Sequence, residues 1–117
     1  MASMGEALYN ACLMGRAREF RRLLSGGADV NDVNEEGLTP LAAASQNGHV
    51  VIVDMLLAAE ANANAADDTG HTALHRASFK GHLVIVQHLL ASGADAHAVD
   101  NKGFTSMMAH GCISEWA

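Results

Sequence analysis

Residues 34–66 and 67–99 are two copies of one 33-residue unit. The first reads NEEGLTPLAAASQNGHVVIVDMLLAAEANANAA and the second DDTGHTALHRASFKGHLVIVQHLLASGADAHAV; without gaps they agree at 16 of 33 positions. Unrelated stretches agree at only a few. Self-similarity at a fixed period means a stack of modules, because one short unit cannot hide its own apolar face from water. Function then belongs to the surface that the stacked modules share.

The frame extends both ways. Leu8, Ala11, Gly15, Leu23, Leu24, Ala28 and Asn31 precede Leu41, Ala44, Gly48, Leu56, Leu57, Ala61 and Asn64 by 33 residues, and Gly103 and Thr105 follow Gly70 and Thr72 by the same interval. The 117 residues are read as a single domain of about three and a half units: 1–33, 34–66, 67–99 and a partial unit at 100–117.

Within the third unit, Thr72 is placed to cap a helix by accepting a backbone N–H bond. Ala73, Leu74, Ala77 and Ser78 share one face of it at helical spacing. Gly81 ends it, since glycine tolerates the left-handed conformation of a sharp stop. His82 opens a second helix whose apolar stripe is Leu83, Ile85, Val86, Leu89 and Leu90. Gly93 closes that helix, and a turn-rich, hairpin-like finger runs on to Gly103. Each Leu or Ile buried against a neighbouring unit contributes roughly 1.5–3 kcal/mol. The fold class is therefore all-α, a solenoid of paired helices joined by fingers.

The stretch TALHRASFKGHLVIVQHLLASGADAHAVDNKG resembles an ankyrin repeat, whose signature includes Thr-Pro-Leu-His and Gly-His at this spacing. The second and third units carry the resemblance strongly, the first moderately, and the closing GFTSMMAHGCISEWA weakly. The resemblance implies an ankyrin-repeat solenoid that recognises proteins through a concave face, without catalysis.

Departures from the family pattern are informative. Ala42 stands where the third unit has His75, whose ring in the family ties adjacent fingers together, so looser tying is expected between fingers in the first half. Glu60 replaces the glycine found at Gly27 and Gly93, and a positive φ there costs on the order of 1 kcal/mol. Arg16, Arg18, Arg21 and Arg22 make the second helix of the first unit a polar end cap. At the other end Met107, Met108, Ile113 and Trp116 either seal the stack or lie exposed for a partner.

Carried over by position, the concave face comprises finger residues Glu35, Glu36, Leu38, Asp68, Thr69, His71, Asn101, Lys102 and Phe104. It also takes in the helix residues Leu13, Met14, Gln46, Asn47, Phe79, Lys80, Cys112 and Ile113. The two best copies differ here: Leu38 aligns with His71, Gln46 with Phe79 and Asn47 with Lys80. Phe79 and Phe104 are the anchor candidates, because aromatic side chains dominate binding surfaces; the bland alternative is that each packs on its own finger. Glu35, Glu36, Asp67, Asp68 and Asp100 make the finger row acidic, which favours a basic partner or is simply a solvated loop. In the family, finger-entrance asparagines can be hydroxylated, and Asn31 matches such a site; a turn asparagine bonding backbone is the alternative.

Other function classes find little support. The formal charge of −6 argues against nucleic acid. No apolar run is long enough to span a bilayer and no signal peptide is visible, so a cytoplasmic or nuclear location is expected. Cys12 and Cys112 lack paired spacing and read as free thiols, with Cys12 buried and inert. Among seven histidines, His49, His75 and His82 have structural positions, and His71, His88, His97 and His110 form no ligand-spaced cluster. No phosphate loop or nucleophile motif occurs. The expectation is a monomeric, non-enzymatic protein-interaction module without cofactor. The alternatives are self-association through the apolar C-terminal end, or a segment of a longer regulatory or enzymatic protein.

Overall fold

The computed structural model describes residues 3–106. They form six helices: α1 (Met4–Met14), α2 (Ala17–Ser25), α3 (Pro40–Gln46), α4 (Val50–Ala58), α5 (Ala73–Lys80) and α6 (Leu83–Ala91). Among the described residues there are no strands. The fingers that sequence suggests as hairpin-like are turns, for instance one closed by Gly70 N–H donating to the Asp67 carbonyl (2.9 Å). Met107, Met108, His110, Cys112, Ile113 and Trp116 lie outside the described residues.

Each unit is a helix pair, and the pairs stack in chain order. Helices α1, α3 and α5 form one row, and α2, α4 and α6 pack behind it. The array measures 41 × 25 × 21 Å. Its core repeats as the sequence does. Leu8, Leu41 and Leu74 are buried at one register, Ala11, Ala44 and Ala77 at the next, and Phe20, Val53 and Val86 on the second row. Alanines 42–44 let α3 sit close between α1 and α5. At the register of buried Ile52 and Ile85, α2 carries Glu19, which pairs with Arg22 in solvent. With Arg16, Arg18, Arg21 and Arg22 all exposed, α2 is the polar end expected of it.

The row α1, α3, α5 is bounded as capping chemistry dictates. Ser3, Thr39 and Thr72 accept N–H bonds from Glu6, Ala42 and His75 at 3.1, 3.0 and 3.3 Å. Pro40, with no N–H to leave unpaired, occupies the first turn of α3. Gly15 and Gly81 end α1 and α5 in the left-handed conformation, φ 73° and 74°. The second-row helices stop before Gly27, Glu60 and Gly93, with φ 95°, 66° and 95°. Glu60 is the one non-glycine residue at positive φ among those described.

Second-row helices start without a side-chain cap; the N-cap histidines of α4 and α6 reach backwards instead. His49 Nε2 donates to the Leu13 carbonyl (3.0 Å) and His82 Nε2 to the Gln46 carbonyl (3.1 Å). These rings cross from one unit to the previous one. They pass so close that a Cβ on Gly15 or Gly48 would fall 2.6 or 2.9 Å from the imidazole. Glycine at the end of one helix is thus required both for φ and for the next unit's histidine.

Candidate partner-binding face

The fingers and the row α1, α3, α5 carry the residues expected to meet a partner. Between the third and fourth fingers lies a cleft of about 600 Å³ lined by Thr69, His71, Phe79, Asp100, Asn101, Lys102 and Phe104. All but Asp100 belong to the binding set expected from sequence. Phe79 is half-buried: its ring meets His71 edge-on, centroids 5.1 Å apart at 83°, and lies 6.3 Å from His75. Phe79 therefore packs on its own finger and lines the cleft at once. Phe104 stands 44 % exposed while its backbone is held, its N–H donating to Asp100 Oδ1 (2.9 Å) and its carbonyl accepting from His75 Nε2 (3.0 Å). Lys80 and Lys102 are exposed, and neither ammonium has an ion pair among the described residues.

Nearby carboxylates are turned inward. Asp100 is buried and its Oδ2 accepts from His71 Nε2 at 3.0 Å. The Phe104 N–H lowers its pKa most, helped against burial by the Lys102 N–H and by His71. Asp67 pairs with Arg76 and also accepts from the Thr69 hydroxyl and from the N–H groups of Thr69 and His71. Burial is the largest single influence on Asp67 and opposes its charge, yet Thr69, Arg76 and the two N–H groups outweigh it and hold the pKa at about 2. Two of the five acids in the finger row expected from sequence are thus already engaged. Asp67 and Asp100 are bonded within the fingers, and the exposed acids of that row are Glu35, Glu36 and Asp68. Asp68 leans towards the second finger, where its Oδ1 would be 2.9 Å from a Cβ on Gly37.

A second cleft, about 450 Å³, lies where α1 meets the second finger. Its lining residues Ser3, Gly5, Asn34, Glu35 and Glu36 precede Thr69, His71, Asp100, Asn101 and Lys102 of the first cleft by 66 residues. Both clefts are therefore one feature of the repeat, displaced by two units. Their exposed charges differ in sign, with Lys102 at the first cleft. The α1 cleft holds Glu6, Asp32, Glu35 and Glu36, none ion-paired among the described residues, around Tyr9. Burial, then the Glu36 carboxylate, raises the Tyr9 phenol pKa despite the opposing pull of Arg76.

Other expected residues divide. Gln46 is partly exposed between the two clefts. Leu38 is partly buried against the core. Asn47 is exposed, but its Nδ2 donates to the Leu13 carbonyl (2.7 Å), so its amide already ties α3 to α1. Leu13 also leans on the core, whereas Met14 is 58 % exposed. Asn31 Oδ1 accepts from Asn62 N–H (2.8 Å) and Asn64 Oδ1 from Asp95 N–H (2.7 Å), each a tie to the next unit. Both asparagines thus bond backbone.

Finger ties differ along the array as Ala42 suggests. Among the described residues, the second and third fingers share the bond from Asp68 N–H to the Glu36 carbonyl (3.1 Å). The third and fourth are joined by Asn101 N–H to Thr69 (3.0 Å), Asn101 Nδ2 to the Asp68 carbonyl (2.9 Å), His71 to Asp100 and His75 to Phe104. Sequence reasoning missed the His71–Asp100 pair; its partners are 29 residues apart and sit on different fingers.

Cys12 is buried and burial pushes its thiol up to about 12, well away from a reactive thiolate. Among the described residues no group of His, Cys, Asp or Glu is arranged to hold a metal, and no helix is long and apolar enough to cross a membrane. His88 instead pairs with Asp54 across α6 and α4 (2.6 Å).

A family profile described as ankyrin repeats, in three copies, matches residues 7–108. Over 50 residues the chain is 42 % identical to the ARF GTPase-activating protein Git of Drosophila melanogaster. That match takes in 43 % of this chain and 7 % of the fly protein, so the likeness concerns a small part of the relative.

Proposed function

The chain belongs to the ankyrin-repeat family, a family of protein-interaction modules, and from that premise we propose that it is a non-catalytic module that holds a partner protein on its finger face. The observation that carries this reading is the cleft around Phe79. An aromatic ring is half-exposed there, braced by His71 and His75, beside a second exposed ring, Phe104. Rigid aromatic anchors in a preformed cleft lose little entropy on binding and dominate interface energy. Lys80, His71, Asn101, Lys102, Gln46 and Asp68 supply the polar surround, with Thr69 at the cleft's edge.

The test is a calorimetric titration of a captured partner against the Phe79→Ala/Lys80→Ala variant. Loss of at least ~2 kcal/mol of binding with unchanged helicity is expected. Unchanged affinity rejects this face.

A second reading is that the module serves a longer protein whose activity lies outside these residues. The fly relative favours it, since the matched stretch is 7 % of a protein named for GTPase activation. Immunoblotting of the endogenous protein decides between them by size.

A further inference from the structure

The two clefts occupy the same place in the repeat, and their exposed charges differ in sign: Lys102 in one, Glu6, Asp32, Glu35 and Glu36 in the other. At the third-to-fourth finger, Asp67 pairs with Arg76 and the buried Asp100 accepts from His71, while the exposed Lys102 lines the cleft with Phe79 and Phe104. At the α1 end, Glu35 and Glu36 replace Asn101 and Lys102 at the equivalent positions, with Glu6 and Asp32 alongside. Gln46 and the partly buried Leu38 lie between, uncharged.

Distance makes this pattern readable by one ligand. Packed helices step by 8–10 Å, so clefts two units apart are roughly 20 Å apart. An extended chain advances about 3.3 Å per residue, so roughly six residues bridge them. Fingers that are already hydrogen-bonded to one another hold the spacing fixed.

We propose that the face takes a single extended protein segment of ordered charge: an apolar side chain between Phe79 and Phe104, a carboxylate beside it on Lys102, and a basic residue roughly six positions away over Glu35 and Glu36. The occupant is thus neither a uniformly basic nor a uniformly acidic peptide. Both ends are complementary to charges left without partners among the described residues, and a segment of reversed charge order meets like charge at both. Such complementarity selects among ligands more than it adds raw affinity. The inference deepens the proposed function and rests on that reading.

Two labelled peptides on the intact chain test it by fluorescence anisotropy. The first places Asp-Leu and Arg-Arg at the ends of a five-residue Gly/Ser spacer. The second exchanges the charges, placing Arg-Leu and Asp-Asp on the same spacer. The chain is expected to prefer the first by at least about fivefold, the scale of two exposed ion pairs becoming like-charge contacts. Lys102→Glu with Glu36→Lys, both exposed positions, should reverse the preference, with circular dichroism confirming the fold. Shortening the spacer to one residue should abolish it. Equal binding of both peptides, a preference that survives the charge exchange, or binding of neither overturns the inference. If both bind equally and both are lost in Phe79→Ala, the face still binds and only the charge order fails. If the first peptide binds Phe79→Ala unchanged, the proposed function itself fails.

Discussion

His75 Nε2 lies 3.0 Å from the main-chain carbonyl oxygen of Phe104, while its Nδ1 accepts from the Thr72 N–H at 3.2 Å. One buried ring therefore caps α5 and fixes the fourth finger. Replacement by Ala strands the Thr72 N–H and leaves the Phe104 carbonyl with the Asp100 N–H alone. A loss of about 2 kcal/mol is expected, measured by urea unfolding, with faster amide exchange at Asp100 and Gly103.

Gly48 is bound to the next unit in the opposite sense, by having no side chain. Its φ is 79°, and a Cβ would lie 2.9 Å from the His82 ring. Gly48→Ala is expected to cost at least about 1 kcal/mol. Adding His82→Ala should recover part of that loss. A double-mutant cycle showing strict additivity would separate the two residues and contradict the geometry.

Glu60 holds φ 66° where the flanking units use glycine. Glu60→Gly should stabilise the chain by about 1 kcal/mol, a rise of a few degrees in Tm by calorimetry.

Asp67 titrates near 3.8 when unfolded and about 2 when folded. The folded state thus binds this proton more weakly. Its contribution to stability is present above about pH 4 and is lost as pH falls through about 2. Wild type and Asp67→Asn should therefore differ most in urea midpoint near neutrality and converge as pH drops across that window. A difference that stays constant would contradict the pairing.

Much of the fold was legible because its core is written at fixed spacing: Leu8, Leu41 and Leu74 announce one another. The cap Thr72 and the stop at Gly81 follow from local chemistry, as does the positive φ of Glu60. The site was legible only in outline. Phe79, His71 and Lys102 stand out because they break the repeat, but their charges depend on who pairs with whom. Asp67 and Asp100 look as free as Glu35 until Arg76 and His71 are brought to them. Asn47 likewise looks like a surface residue until its amide reaches Leu13. The His71–Asp100 and Asn47–Leu13 bonds join residues about one unit apart, and no local pattern distinguishes a side chain aimed at its neighbour from one aimed at solvent.

Which side of the stack does the binding is tested most directly by titrating one partner against two single variants. Phe79→Ala removes the ring from the finger face, and Val84→Ala trims an exposed residue of α6, 51 % accessible, on the opposite row. The account expects Phe79→Ala to weaken binding by at least ~2 kcal/mol and Val84→Ala to leave it unchanged. Loss with Val84→Ala and none with Phe79→Ala would place the partner on the other side and contradict it.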